Sequence, residues 1–205
     1  MHEFVSDLVA SHSPSIDAQS QLAILLASEG HDLRITRDLD LAKDYLRERY
    51  AENPDARFGL VASSRDRDLE RFGVPNDYRS TRRMRNGPWY GDREGEPGGR
   101  SCRHLRDCVT EFGAQGLELD AVLLAWGTDF RRQGSTWTID RSRGYKRGGP
   151  PVRNPWQLRA NAYRVLLTRA RDATVVFVPP LPELNETFDD LVLAGFRTLE
   201  SQSGG

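Results

Sequence analysis

The stretch Trp156–Val178, WQLRANAYRVLLTRARDATVVFV, decides the fold. Its first part carries Trp156, Ala160, Tyr163, Leu167 and Ala170 at steps of four and three, so a helix is expected over Trp156–Arg171. The second part, Ala173–Val178 (ATVVFV), is apolar almost throughout rather than alternating, which marks an interior strand covered on both faces. Ala121–Trp126 (AVLLAW) has the same character. Upstream, Ile16–Ser28 shows helical spacing through Ile16, Leu22, Leu25 and Leu26, and Gly30 stops it. Leu33–Thr36 reads as a short strand and Asp38–Tyr50 as an amphipathic helix closed by Pro54. Arg57–Ala62 reads as a buried strand and Asp66–Phe72 as a short polar helix ended by Gly73. The order α, β, α, β, α predicts an α/β, three-layer architecture with a mostly parallel sheet and helices on its faces. Leu105–Thr110 is a further strand, Gly113–Glu118 a turn or short helix, and Glu183–Leu193 a last helix.

A length of 205 residues fits one domain over 1–205 with a real core. Two irregular loops interrupt it, at about 74–103 and 131–155, and a polar tail covers 201–205. The 29 Lys+Arg are balanced by 30 Asp+Glu, which excludes a wholesale polycation, and all the basic residues but Lys43 and Lys146 are arginine. No apolar run approaches the roughly 18 residues of a membrane span. Glu3 and Asp7 break any basic-then-apolar leader pattern, so a cytoplasmic location is expected. Cys102 and Cys108 are too few for a disulfide scaffold and lack the second pair of a zinc site, so a core thiol and a loop thiol are expected.

The usual self-contained catalytic signatures are missing. His2, His12, His31 and His104 form no His-Glu-x-x-His pattern, and there is no Gly-x-Ser-x-Gly elbow. Neither a phosphate-cradling Gly-x-x-x-x-Gly-Lys-Ser/Thr loop nor a Gly-x-Gly-x-x-Gly turn occurs. Two other segments carry chemistry. Thr110–Asp120 (TEFGAQGLELD) sets Gly116 between Gln115 and Leu117, where backbone approach is tight, and places an acid just before an interior strand, at a sheet edge. Asn161–Arg171 puts Arg169 at the expected helix end, where a planar, permanent cation suits an arginine finger; a structural salt bridge is the other reading. Arg131, Arg132, Arg141, Arg143, Lys146, Arg147 and Arg153 have only Asp140 among them. With Trp137, Tyr145 and Trp156 as stacking surfaces, that loop suits nucleic acid; a solvated loop pairing with acids elsewhere fits equally.

Gln-Gly-Leu-Glu (115–118) and Leu-Thr-Arg-Ala (167–170) resemble motifs V and VI of superfamily 1 helicases, found in the second RecA-like domain of the motor. Further matching text is Gly87-Pro-Trp-Tyr90, Cys108–Asp120, Trp126-Gly-Thr-Asp129, Tyr163–Arg171 and Val176-Phe-Val-Pro-Pro180. The whole resembles the Schlafen group-3-like DNA/RNA helicase domain of bacterial proteins over most of residues 15–200. Phe58–Ala62 with Ser63-Ser64-Arg65 resembles its strand-then-arginine motif.

The resemblance implies a RecA-like, P-loop NTPase-type second motor domain that lacks the phosphate loop. It implies that Gln115 and Gly116 form the turn facing nucleotide and nucleic acid, that Glu118 contacts the ribose, and that Arg169 contacts the γ-phosphate. Arg65 would add a nucleotide contact, and Thr110 a contact to the nucleic-acid backbone beside Arg141, Arg143, Lys146 and Arg147. It implies ATP and Mg2+ as cofactors, with the Mg2+ ligands on a first RecA-like domain in cis or trans, and DNA or RNA as partner. Phe112 stands where motif V commonly has histidine, and Ala170 where relatives often have glycine. The expected function is the C-terminal half of an ATP-dependent DNA/RNA helicase or nucleic-acid-dependent ATPase, with no turnover alone. Two alternatives are a non-catalytic nucleic-acid- or protein-binding remnant and a self-sufficient α/β hydrolase or nuclease.

Overall fold

Aliphatic and β-branched runs make the centre of the molecule. The computed structural model describes residues 1–10, 16–144 and 152–200. In chain order the elements are α1 (His2–Leu8), α2 (Ile16–Ser28), β1 (Asp32–Thr36), α3 (Leu39–Arg49), β2 (Phe58–Ala62), α4 (Tyr78–Arg83), α5 (Asn86–Gly91) and β3 (Cys108–Thr110). Then come β4 (Leu119–Ala125), β5 (Arg131–Gln133), β6 (Thr136–Thr138), α6 (Pro155–Leu167), β7 (Ala170–Phe177), α7 (Asn185–Leu193) and β8 (Arg197–Thr198). Six strands form one sheet in the order β3-β2-β4-β7-β1-β8, and every pairing in it is parallel. The carboxyl ends are flush: Ala62 lies opposite Thr110 and Ala125, and Phe177 opposite Ala125 and Thr36.

Side-chain alternation sorts the core into two faces. Phe58, Leu60, Leu123, Val175 and Phe177 pack against α3 through Leu39, Ala42 and Leu46. Val61, Val122, Leu124 and Val176 point the other way, into a cluster with Phe4 of α1, Leu26 of α2 and Tyr163 of α6. The sheet is therefore the middle of three layers, as the α/β reading expects. Asp38 starts α3 by accepting the Asp40 and Leu41 amides, and Asn154 starts α6 by accepting the Gln157 amide, with Pro155 at the first turn.

The differences from expectation have local causes. The last long helix ends at Leu167, not Arg171, because the Arg169 carbonyl accepts the Leu119 amide at 2.9 Å and so already belongs to the sheet. Arg169 thus stands in the link between α6 and β7, not on the helix. Loop 74–103 contains α4, capped by Asp77, and α5, whose Trp89 packs on β2. A Cβ at Gly59 would lie 2.4 Å from Trp89 Cζ2, so only glycine leaves room for that indole. The expected strand Leu105–Thr110 shrinks to Cys108–Thr110. The 131–155 stretch opens with the antiparallel hairpin β5–β6, whose Trp137 stacks on Phe130 at 4.7 Å and donates from Nε1 to the Leu8 carbonyl at 2.9 Å. The polar tail lies outside the described residues.

Candidate functional site

An all-parallel sheet has two unlike edges, and the sequence motifs divide between them. At the amino edge, Gln115–Glu118 run directly into β4, and Arg169 runs directly into β7, its neighbour. Leu119 pairs with Ala170, which brings Glu118 and Arg169 side by side. Gly116 has φ +77, a left-handed conformation that glycine adopts without strain. Gln115 and Glu118 are exposed, and the Glu118 carboxylate makes no ion pair among the described residues. Its carbonyl accepts the Tyr90 hydroxyl at 2.9 Å, and the Arg57 guanidinium lies over the Tyr90 ring at 4.8 Å.

Arg169 is half-buried and held by neutral acceptors. Nε donates to the Val165 carbonyl at 3.0 Å, Nη1 to the Leu117 carbonyl at 3.3 Å, and Nη2 to Thr168 Oγ1 at 3.3 Å. It makes no ion pair among the described residues, unlike Arg171, whose Nη2 meets Asp120 Oδ1 at 2.6 Å. Its charge is fixed in place and left unneutralised, and donors remain for an anion.

At the carboxyl edge, Ser63-Ser64-Arg65 follows β2, Glu111 follows β3, and Gly127-Thr128-Asp129 follows β4. A cleft of about 780 Å³ opens there, lined among others by Ser64, Arg65, Tyr78, Thr110, Phe112 and Arg143, and among the described residues no acid lines it. Tyr78 and Phe112 are 70% and 65% exposed. The Arg143 amide donates to the Arg65 carbonyl at 2.9 Å, which straps the basic loop onto the rim. Arg65 therefore does not join Gln115, Gly116, Glu118 and Arg169; it lies with Thr110 and Arg143 on the opposite edge.

Beneath that cleft lies a buried polar network. Arg159 of α6 donates from Nη2 to Glu111 Oε1 at 3.0 Å, and from Nη1 to Ser63 Oγ at 2.7 Å and Asp129 Oδ2 at 3.3 Å. Ser63 donates to Asp129, and the Tyr163 hydroxyl donates to Asp129 Oδ1 at 2.7 Å while accepting the Gly127 amide at 3.0 Å. Ser64 gives Glu111 its amide at 2.8 Å and its hydroxyl at 2.9 Å. Burial, and then the charge of Asp66, push the Asp129 carboxyl up to about 6 against the pull of Ser63, Tyr163 and Arg159.

Much of the basic loop is already paired. Arg131 meets Asp140 at 2.8 Å, Arg132 meets Asp190 at 3.1 Å, and Arg141 meets Glu183 at 3.0 Å. Arg143 makes no ion pair among the described residues. Tyr145, Lys146 and Arg147 lie outside the described residues. Trp137 is 3% exposed and is a core residue, not a stacking surface, because its indole closes the space between the hairpin and α1. The expected loop thiol is also corrected: both cysteines are buried, and burial pushes Cys102 up to about 11 and Cys108 higher still. Among the described residues no group of three His, Cys, Asp or Glu could hold a metal, and no helix is long and apolar enough to cross a membrane.

The family model of the Schlafen group 3 DNA/RNA helicase domain matches residues 1–180. The chain belongs to this family. No curated protein matches it. The Schlafen helicase domain match begins at residue 1, earlier than the motif resemblance, and so takes in α1 as well. It stops just after β7, leaving α7 and β8 beyond it, although β8 pairs with β1. Motif reading passed over Arg159, and quoted Glu111 and Asp129 without a role. The signal for Arg159 was its position four residues before Tyr163, a charge on the buried stripe of α6. Glu111 carried none beyond its place between Thr110 and Phe112.

Proposed function

We propose that this Schlafen-type helicase domain is the second RecA-like half of a superfamily 1 ATP-dependent DNA/RNA helicase or nucleic-acid-dependent ATPase. The observation that carries the reading is the amino edge, where the Arg169 guanidinium stands beside the Glu118 carboxylate and neither is in a salt bridge among the described residues. Those two groups suit opposite parts of one nucleotide. Arg169 offers a fixed fork to phosphate oxygens, and Glu118 accepts from ribose hydroxyls, with the Gln115–Gly116 turn alongside. The donor set thus fits a nucleotide but not a magnesium ion, whose ligands belong to a first RecA-like domain in cis or trans. Bound ATP supplies the phosphoanhydride whose cleavage drives movement on nucleic acid.

The carboxyl-edge cleft takes the nucleic acid. Tyr78 and Phe112 offer faces on which bases stack, and Arg143 and Arg65 meet phosphates near the Thr110 hydroxyl, with Lys146 and Arg147 next in sequence. Arg65 is assigned here rather than to the nucleotide because of the edge it occupies. A cytoplasmic location goes with this function.

The test mixes the chain with a candidate first RecA-like domain and measures ATP hydrolysis with and without single-stranded DNA or RNA. Stimulated turnover is expected in the mixture, near-background turnover with Arg169→Ala, and none from the chain alone. Full stimulation by Arg169→Ala, or turnover by the isolated chain, refutes the assignment.

A further inference from the structure

We infer that Glu111 and Arg159 are positioning residues which carry the occupancy of the carboxyl-edge cleft along α6 to Arg169. The inference rests on the two-edge reading above and adds the connection between the edges.

Glu111 sits between Thr110 and Phe112, both of which line the cleft, and Ser64, another lining residue, gives Glu111 two hydrogen bonds. Whatever displaces Phe112 or Ser64 therefore acts on the Glu111 carboxylate. That carboxylate is 6% exposed and is bound to Arg159, itself 3% exposed. A desolvated ion pair of this kind is costly to break, because separation leaves each charge buried without its partner. A push on Glu111 is thus passed to Arg159 rather than lost by separation. Arg159 cannot escape by giving up its proton, as a lysine could.

Arg159 is fixed to α6, a 13-residue helix running from Pro155 to Leu167. From Arg159 the helix runs eight more residues to Leu167, about 12 Å at 1.5 Å per residue, and Arg169 follows two positions later in the link to β7. Tyr163, one turn on, ties the same helix to Asp129 and Gly127, so α6 is gripped by the loops after β2, β3 and β4 together. The far end of α6 delivers the Val165 carbonyl and the Thr168 hydroxyl that orient the Arg169 guanidinium. A small shift of the helix at the cleft is a shift of two of the three acceptors that aim Arg169, the third being the Leu117 carbonyl.

Hydrogen exchange on the chain itself tests this, with a single-stranded oligothymidylate as probe. The reporters are the Thr168 amide, which donates to Arg164, and the Leu119 amide, which donates to Arg169. Saturation with the oligonucleotide is expected to change exchange at both by about fivefold or more, the lower range of ordinary coupling between sites. Glu111→Gln should bind the oligonucleotide with near-native affinity yet leave both amides within about twofold of their free rates. Should that variant fail to fold, Glu111→Asp keeps the charge but withdraws the carboxylate by one methylene from Arg159, and it is read the same way. Binding without any response at the two amides overturns the inference while leaving the two-edge reading standing. So does a full response in the variant. Failure of the oligonucleotide to bind overturns the nucleic-acid reading, and the inference with it.

Discussion

Tyr163→Phe should cost more stability at pH 8 than at pH 5. The ring remains: phenylalanine still packs tilted against Trp126 and stacks on Phe130, now at 4.5 and 5.1 Å between centroids, so no large cavity forms. What disappears is one fully buried hydroxyl that donates to Asp129 and accepts from Gly127. The orphaned Gly127 amide costs about 1–2 kcal/mol at any pH, and the lost bond to an ionised Asp129 about 2 kcal/mol more, falling to about 1 kcal/mol once that carboxyl is neutral. Asp129 changes state at about 6, above its ordinary value, because burial and Asp66 disfavour its charge. A carboxyl raised in the folded state holds its proton longer there than in the unfolded chain. Its contribution to stability therefore declines as pH rises through the window up to about 6 and is level beyond it. Removing the hydroxyl raises Asp129 further and extends that decline to higher pH.

The expected losses are about 3–4 kcal/mol at pH 8 and about 2–3 kcal/mol at pH 5. Urea unfolding followed by tryptophan fluorescence measures both, and subtracting the native protein at each pH cancels the other titrating groups. Equal losses at the two pH values, or a loss below about 1 kcal/mol at pH 8, would refute an ionised Asp129 held by Tyr163.

Gly59→Ala should lower stability by about 1–3 kcal/mol, because Trp89 is 1% exposed and has nowhere to retreat from the new methyl; an unchanged Tm would show that α5 does not dock on β2. Phe112→Ala should weaken single-strand binding by about 1–3 kcal/mol per lost stack with little change in Tm, read by fluorescence anisotropy and a thermal scan. Arg143→Ala should flatten the salt dependence of the same binding by about 0.7 in log–log slope, and an unaltered slope would remove it from the phosphate contacts.

The interior was legible because it repeats simple rules. AVLLAW and ATVVFV have no polar alternation, and such segments have few stable homes other than a strand covered on both sides. The amphipathic helices were legible too, to within a few residues. Where α6 ends was not, since Ala170 continues the helical stripe while the Leu119 amide, distant in sequence, takes it into the sheet. Trp137 misled because an indole in a basic loop looks the same in sequence whether it faces solvent or fills a gap between a hairpin and a helix. The amino-edge group was visible as Gln-Gly-Leu-Glu and Thr-Arg-Ala, two local signatures. The Glu111–Arg159–Asp129 network was not, because its members come from three separate segments that only the closed sheet brings together. Arg65 shows the same limit: its residue type suits phosphate on either edge, and only strand direction puts it at the carboxyl edge beside Thr110.

The pairing of β4 with β7 also bears on what lengths this domain can tolerate. Leu119 faces Ala170 at one end and Ala125 faces Phe177 at the other, with a register shift between Leu119 and Ala121 absorbing the extra residue of β7. One inserted or deleted residue in either strand would turn its apolar side chains to the wrong layer, or slide Glu118 away from Arg169. Exchanges of one side chain for another can accumulate along these strands at modest cost. Insertions and deletions belong instead to the segments outside the paired strands, such as the loops on either side of α4 and α5.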